Sequence, residues 1–276
     1  MTGSWRRRRS MGSLRRKPSR RLWHRHSDGD AMKVLILGGT TGIGRSIARI
    51  FALRKTSTFL IGLPEVELVR SAADLEARGA PAPVGFHPLD LEDTGGFAAA
   101  LDAADAALGG FDTVVITAGM FRTQDAAEED LEFTRRMLVV NYAHLVVFCE
   151  HIRRRLLARG GGTLCVFSSV AGDRGRKPVG LYGSSKAGLS HYLESLDHRY
   201  RSQGLITLCV KPGFVKTGMT TGLKAPPFAG EPDQVAADVV AAIDRGSAML
   251  YTPWPWKWVM ALIRALPRFV MRRVSF

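Results

Sequence analysis

The chain is poor in cysteine, in acidic side chains and in long apolar runs near its C-terminus, and each shortage removes a class of protein. Its three cysteines, Cys149, Cys165 and Cys209, are an odd number without metal-ligand spacing. Neither a complete disulfide framework nor a metal centre is expected, and a reduced, cytoplasmic setting fits. The charge-free run at residues 258–263 falls far short of the ~20 apolar residues that cross a bilayer. The first 31 residues lack the apolar segment of a secretory signal. Only 25 Asp and Glu oppose 39 Lys and Arg, for a formal charge of +14, a balance that suggests a nucleic-acid partner until its distribution is considered. Residues 1–31 hold ten of the basic side chains, including Arg6, Arg7, Arg8 and Arg9, against Asp28 and Asp30. More than half of the excess is therefore a property of the tail, which has no apolar period and is expected to be disordered. Met32 directly precedes the first apolar run and reads as an alternative initiator.

What is present is a regular alternation. At 46% hydrophobic residues the chain can bury a substantial core. Apolar runs of strand length fall at 34–37, 58–61, 84–86, 113–117, 164–167, 207–210 and 249–251, and helix-length segments separate them, such as 43–53, 131–159 and 184–202. Continuous apolar runs suit strands buried on both faces, and their alternation with helices predicts a doubly wound parallel sheet of the Rossmann type. No repeat and no linker interrupts residues 33–251. The expected organisation is a basic tail at 1–31, one α/β domain at 32–252 and a C-terminal amphipathic segment at 253–276.

Two patterns carry chemistry. The first apolar run leads into "LILGGTTGIGRSIA", with Gly38, Gly42 and Gly44 ahead of a helix. Such a turn lets bare backbone approach a dinucleotide pyrophosphate while helix N–H groups point at the anion. The second is "LYGSSKAGLSHY", which sets Tyr182 and Lys186 one helical turn apart among small residues. One reading is close helix packing; the other is an acid/base pair.

The order of further motifs decides for the second. "PLDLED" with Asp90, "VITAG" at 115–119, "VVNYA" with Asn141, "VFSSVAG" with Ser168 and Ser169, "YGSSK" and "KPGFVKTGM" follow the glycine turn in sequence. Together they resemble the short-chain dehydrogenase/reductase family over about residues 33–219, although Ile116 and Thr117 replace that family's two asparagines. The resemblance implies an enzyme that uses NADH or NADPH. Ser169, thirteen positions before Tyr182, would hold the substrate oxygen, and Tyr182 would pass a proton to or from it. Lys186 would lower the tyrosine pKa from its ordinary ~10 and bind the nicotinamide ribose. Asn141, an odd residue inside a helix, would anchor a water relay. Cofactor contacts would come from Gly38, Thr40, Thr41, Gly42, Ile43, Gly44, Asp90, Ala118, Gly119, Asn141, Tyr182, Lys186, Pro212, Gly213, Val215 and Thr217. Where that family places a charge that selects between the two cofactors, this chain has Leu63 and Pro64. Glu65 comes late, and the absence of a phosphate clamp beyond Arg45 or Arg70 leans toward NADH.

The C-terminal stretch carries Trp254, Trp256 and Trp258, with Lys257, Arg264, Arg268 and Arg272 as a basic stripe and Pro267 as a breaker. A basic helix flanked by tryptophan suits a membrane surface; a helix packed over the active site or against a partner subunit is the other reading. This stretch, with Arg174, Arg176 and Lys177 and the segment 224–227, is similar to the bacterial decaprenylphosphoryl-2-keto-pentose reductases. That narrower resemblance implies a lipid-linked keto-sugar substrate for cell-wall arabinan, a partner oxidase, and peripheral contact at the inner face of the plasma membrane. The wider family implies a homo-oligomer. Two alternatives stand beside it: reduction or oxidation of another lipophilic ketone or alcohol (a steroid, retinoid-like or acyl substrate), and a non-catalytic cofactor-binding regulator or nucleic-acid binder. The intact Ser–Tyr–Lys set argues against the last, so no nucleic acid is expected.

Overall fold

A computed structural model describes residues 32–274; the basic tail expected at 1–31 lies outside the described residues. Seven parallel strands form one sheet in the order β3-β2-β1-β4-β5-β6-β7. They are β1 (Lys33–Leu37), β2 (Ser57–Gly62), β3 (Gly85–Pro88), β4 (Thr113–Ile116), β5 (Gly162–Phe167), β6 (Leu205–Pro212) and β7 (Met249–Thr252). The expected strands are all present, with β3 displaced toward Pro88.

Both faces are covered, because side chains alternate along each strand. Val34 and Ile36 of β1 enter one core with Ile47 and Phe51 of α1 (Gly42–Leu53), Leu68 and Leu75 of α2 (Glu65–Ala77), and Val235 and Val239 of α8 (Pro232–Asp244). Leu35 and Leu37 enter the other, with Phe97 of α3 (Phe97–Leu108), Phe148 of α6 (Leu145–Ala158) and Leu189 of α7 (Gly180–Tyr200). Phe97 and Phe148 meet edge to face with centroids 5.0 Å apart, a pairing worth about 1 kcal/mol beyond area burial. All three cysteines are free and buried.

One helical expectation changes. The helix foreseen at 131–159 is divided. After the short α4 (Gln124–Glu129), α5 (Leu131–Leu138) runs into a π-helical turn, Val139–His144, before α6. Asn141 sits in that turn, fully buried, which accounts for an asparagine where a regular helix would not favour one.

The C-terminal basic stripe is broken at Pro267, as expected. α9 (Pro255–Ala265) stops because Leu266, ahead of Pro267, takes extended backbone, and α10 (Arg268–Met271) starts anew. α9 packs over the domain through Trp256, Met260 and Ile263, which cluster with Val170. Its opposite face leaves Trp254, Trp258 and Leu262 about two-thirds exposed, at 71%, 65% and 66%. No helix of the described residues is long and apolar enough to cross a membrane.

β1 and β4 are neighbours, yet their outgoing connections leave in opposite directions along the sheet. A crevice opens at the carboxyl ends of such strands.

Candidate active site

The crevice is a pocket of about 1020 Å³ lined by the glycine turn, the ends of β4, β5 and β6, the start of α7, the loop after β6 and Trp256 of α9. Every residue expected at the site lines it except Asn141.

The glycine turn is built by contacts that no side chain would allow. A Cβ on Gly44 would overlap the Gly38 carbonyl oxygen, and one on Gly38, whose φ is +90°, would lie 2.7 Å from Thr117 Oγ1. Thr117 stands where an asparagine was expected, and its hydroxyl donates to Gly38 O at 2.9 Å, tying the end of β4 to the turn. From the other side Thr217 approaches Gly42 (3.4 Å from an ideal Cβ). The result is a concave strip of backbone at the N-terminus of α1, shaped for a dinucleotide phosphate. Asp90 lies farther along the same wall, one oxygen accepting from the Glu92 N–H at 2.8 Å.

At the other end α7 is pressed against the segment after β5. A Cβ on Gly183 would meet Ala171 O at 2.6 Å, and one on Gly172 would meet the Ala187 nitrogen at 2.7 Å. Small residues around Tyr182 therefore do serve packing, and that packing brings Ser169 within hydrogen-bond reach of Tyr182. Ser168 faces away: its hydroxyl donates to Lys186 O at 2.9 Å and contacts Ser190 Oγ at 2.7 Å. Phe121 meets the Tyr182 ring edge to face, centroids 5.0 Å apart; nothing in the sequence pattern marked it.

Lys186 Nζ donates to Phe167 O at 2.9 Å and lies 5.8 Å from the Tyr182 ring centroid. The expectation that Lys186 depresses the tyrosine pKa is not met in this state. Burial pushes Tyr182 up to about 12, the Ser169 hydrogen bond opposing it. Burial likewise pulls Lys186 down to about 8. Low-polarity surroundings disfavour both charges. Tyr182 thus holds its proton across the neutral range.

Asn141 acts from behind the pocket. Its Oδ1 accepts from the Met120 N–H and its Nδ2 donates to Met120 O, both at 2.7 Å. The amide clamps the loop after β4, and an ideal Cβ on Gly119 would lie 3.1 Å from Asn141 Oδ1. The tryptophans divide: Trp256 lies over Gly213 as pocket wall, its Nε1 donating to Phe228 O at 3.0 Å, while Trp254 and Trp258 face outward. Arg45 donates to Thr40 O at 2.6 Å and pairs with Glu67, as does Arg70; neither lines the pocket. Among the described residues no group of three or more His, Cys, Asp or Glu is placed to hold a metal ion.

Comparison with known proteins gives one answer. The family described as short chain dehydrogenase matches residues 32–227. An uncharacterized oxidoreductase of Mycobacterium tuberculosis is 33% identical over 247 residues, 90% of this chain and 98% of its own length. One of Streptomyces coelicolor is 33% identical over 249 residues, again 90% and 98%. Among solved structures, an actinorhodin polyketide ketoreductase with NADPH superposes with a TM-score of 0.72 at 21% identity, over 81% of this chain and 96% of that one.

Proposed function

The chain belongs to the short-chain dehydrogenase family, and from that premise we propose an NAD(P)H-dependent reductase of a ketone on a lipophilic substrate. The observation that carries this reading is one pocket joining the side-chain-free glycine turn to Ser169, Tyr182 and Lys186. A nicotinamide dinucleotide supplies the hydride when bound. Residues 38–44 would hold its pyrophosphate and Asp90 its adenine. Ala118, Gly119, Pro212, Gly213, Val215 and Thr217 would line its nicotinamide end.

Ser169 positions the carbonyl oxygen, and Tyr182, protonated through neutral pH, donates to that oxygen as it gains negative charge. Lys186 would hold the ribose of a bound dinucleotide and restore the proton. A water relay anchored at Asn141 would use the main-chain carbonyl, since the side-chain amide is engaged by Met120. Arg45 and Arg70 share the Glu67 carboxylate and neither lines the pocket, which favours NADH over NADPH.

The apolar pocket wall and the basic loop before Tyr182 support a lipid-linked substrate. In the most specific form of the reading this is a keto-pentose on a polyprenyl phosphate, delivered by a partner oxidase. The outward Trp254, Trp258 and Leu262, interleaved with Lys257 and Arg264, suit an anionic membrane surface. Replacing those three apolar residues with serine should release the protein from anionic vesicles in flotation; unchanged partitioning contradicts the membrane contact. Copies would pair through the long helices α6 and α7; Val147 of α6 and Tyr142 of the π-helical turn before it remain exposed.

The central test is turnover of both cofactors with a panel running from a polyprenyl-phosphate keto-pentose to neutral lipophilic ketones. Tyr182→Phe should lower kcat by about 10²–10⁴-fold while dinucleotide binding persists. Equal turnover in that variant rejects the mechanism, and brisk turnover of simple ketones without the keto-pentose rejects the specific substrate.

A further inference from the structure

The basic loop before Tyr182 is not uniform. Arg174 donates to Leu266 O at 2.9 Å and so anchors the end of α9. Lys177 is exposed and does not line the pocket. Arg176 does line it, and its Nε is buried without a hydrogen-bond partner. The neighbouring carboxylate, Asp173, is engaged deeper in the fold, accepting from Lys211 Nζ at 2.6 Å and from the Tyr251 hydroxyl at 2.7 Å.

A buried donor without an acceptor is costly, and native structures seldom keep one without a use. Burial also lowers the Arg176 pKa, Asp173 opposing it; a guanidinium nonetheless stays charged at neutral pH.

The surroundings give that charge a direction. The pocket that Arg176 lines is also walled by Phe121, Val179, Phe214, Met219, Leu223 and Trp256, and Lys224 adds a second cation. The carboxylates lining the pocket, Asp90 and Glu92, follow β3, and Glu92 is paired with Arg136. β3 lies four strand positions from β5, roughly 19 Å at the usual inter-strand spacing. A cation that lines a largely apolar pocket, its neighbouring carboxylate Asp173 already paired with Lys211 and the pocket-lining carboxylates on the β3 side, matches an amphiphile that carries an anion.

We propose that Arg176 receives an anionic group, a carboxylate or a phosphate ester, on an otherwise apolar carbonyl substrate. The proposal rests on the reductase reading for the identity of the pocket. It assigns Arg176 to substrate selection and leaves proton transfer with Tyr182.

The test is calorimetric titration of the full chain, saturated with its dinucleotide so that the phosphate cradle is filled, with decyl phosphate, decanoate and 1-decanol. At least one anion should bind tenfold or more tighter than the alcohol, and Arg176→Gln should erase the difference. A lead for decyl phosphate identifies the phosphate class, and a lead for decanoate the carboxylate class. Equal binding of all three by the wild type, or an anion preference that survives in Arg176→Gln, overturns the proposal. Arg176→Met, which keeps the aliphatic stem, replaces the glutamine variant if that variant no longer binds dinucleotide. The readout is binding, so a failed reductase reading would show separately, as neutral-ketone turnover that does not depend on Tyr182.

Discussion

The two ends of the pocket are built on opposite principles. The glycine turn after β1 is shaped by backbone: Gly38 and Gly44 leave no room for a Cβ, and one hydroxyl, Thr117, fastens the turn to β4. The far end is shaped by side chains from distant stretches, with Trp256 of α9 laid over Gly213, Phe121 against Tyr182, and the 173–179 loop tied to β6 and β7 through Asp173, Lys211 and Tyr251. A backbone-built surface suits a constant ligand, and a side-chain-built one can be changed without disturbing it.

The comparison breaks most severely at the tie beneath the variable end. Lys211→Met strands the Asp173 carboxylate, whose side chain is 3% exposed, and should cost about 3–5 kcal/mol in denaturant unfolding. A loss below about 1 kcal/mol, the scale of a surface pair, would mean that the pair does not anchor the loop. Gly44→Ala sets a Cβ against a carbonyl that cannot turn aside. Up to about 3 kcal/mol of overpacking translates to a roughly 100-fold weaker dinucleotide affinity, and wild-type affinity would show the turn to be pliable.

Lys186, where the two ends meet, sharpens the contrast through pH. In the folded chain its pKa is pulled down by burial to about 8, against an ordinary value of 10.5. Between those values the unfolded chain binds more protons, so wild-type stability should rise with pH relative to Lys186→Met, by at most about 1.4 kcal/mol per pH unit. A flat or falling difference in denaturant midpoints from pH 8 to 10 contradicts the burial. The smallest effect is expected at the wall. Trp256→Phe loses the bond to Phe228 O, worth about 1 kcal/mol. It should shift KM among bulky ketones while leaving dinucleotide affinity as it was; a change in that affinity would mean that the ends are coupled.

Legibility followed the same division. All seven strands were readable because parallel strands buried on both faces are continuous apolar runs. Gly38, Gly44, Tyr182 and Lys186 were readable because their geometry depends on local spacing. The π-helical turn at Asn141 left only an indirect trace, an amide residue in a helical pattern. The role of Trp256 was one of the readings left open, a helix on a membrane or one packed over the active site, and one ring of the three turned inward.

The sequence by itself determined the alternation that makes the sheet, the bare backbone after β1, and the order of serine, tyrosine and lysine along the chain, since each rests on neighbours a few residues apart. Only the tertiary structure decided that burial raises the tyrosine pKa and lowers that of Lys186, and that Arg176 among three basic residues lines the pocket without a partner. Those outcomes depend on desolvation and on contacts between segments up to ninety residues apart, such as Arg174 with Leu266, and no local pattern encodes them.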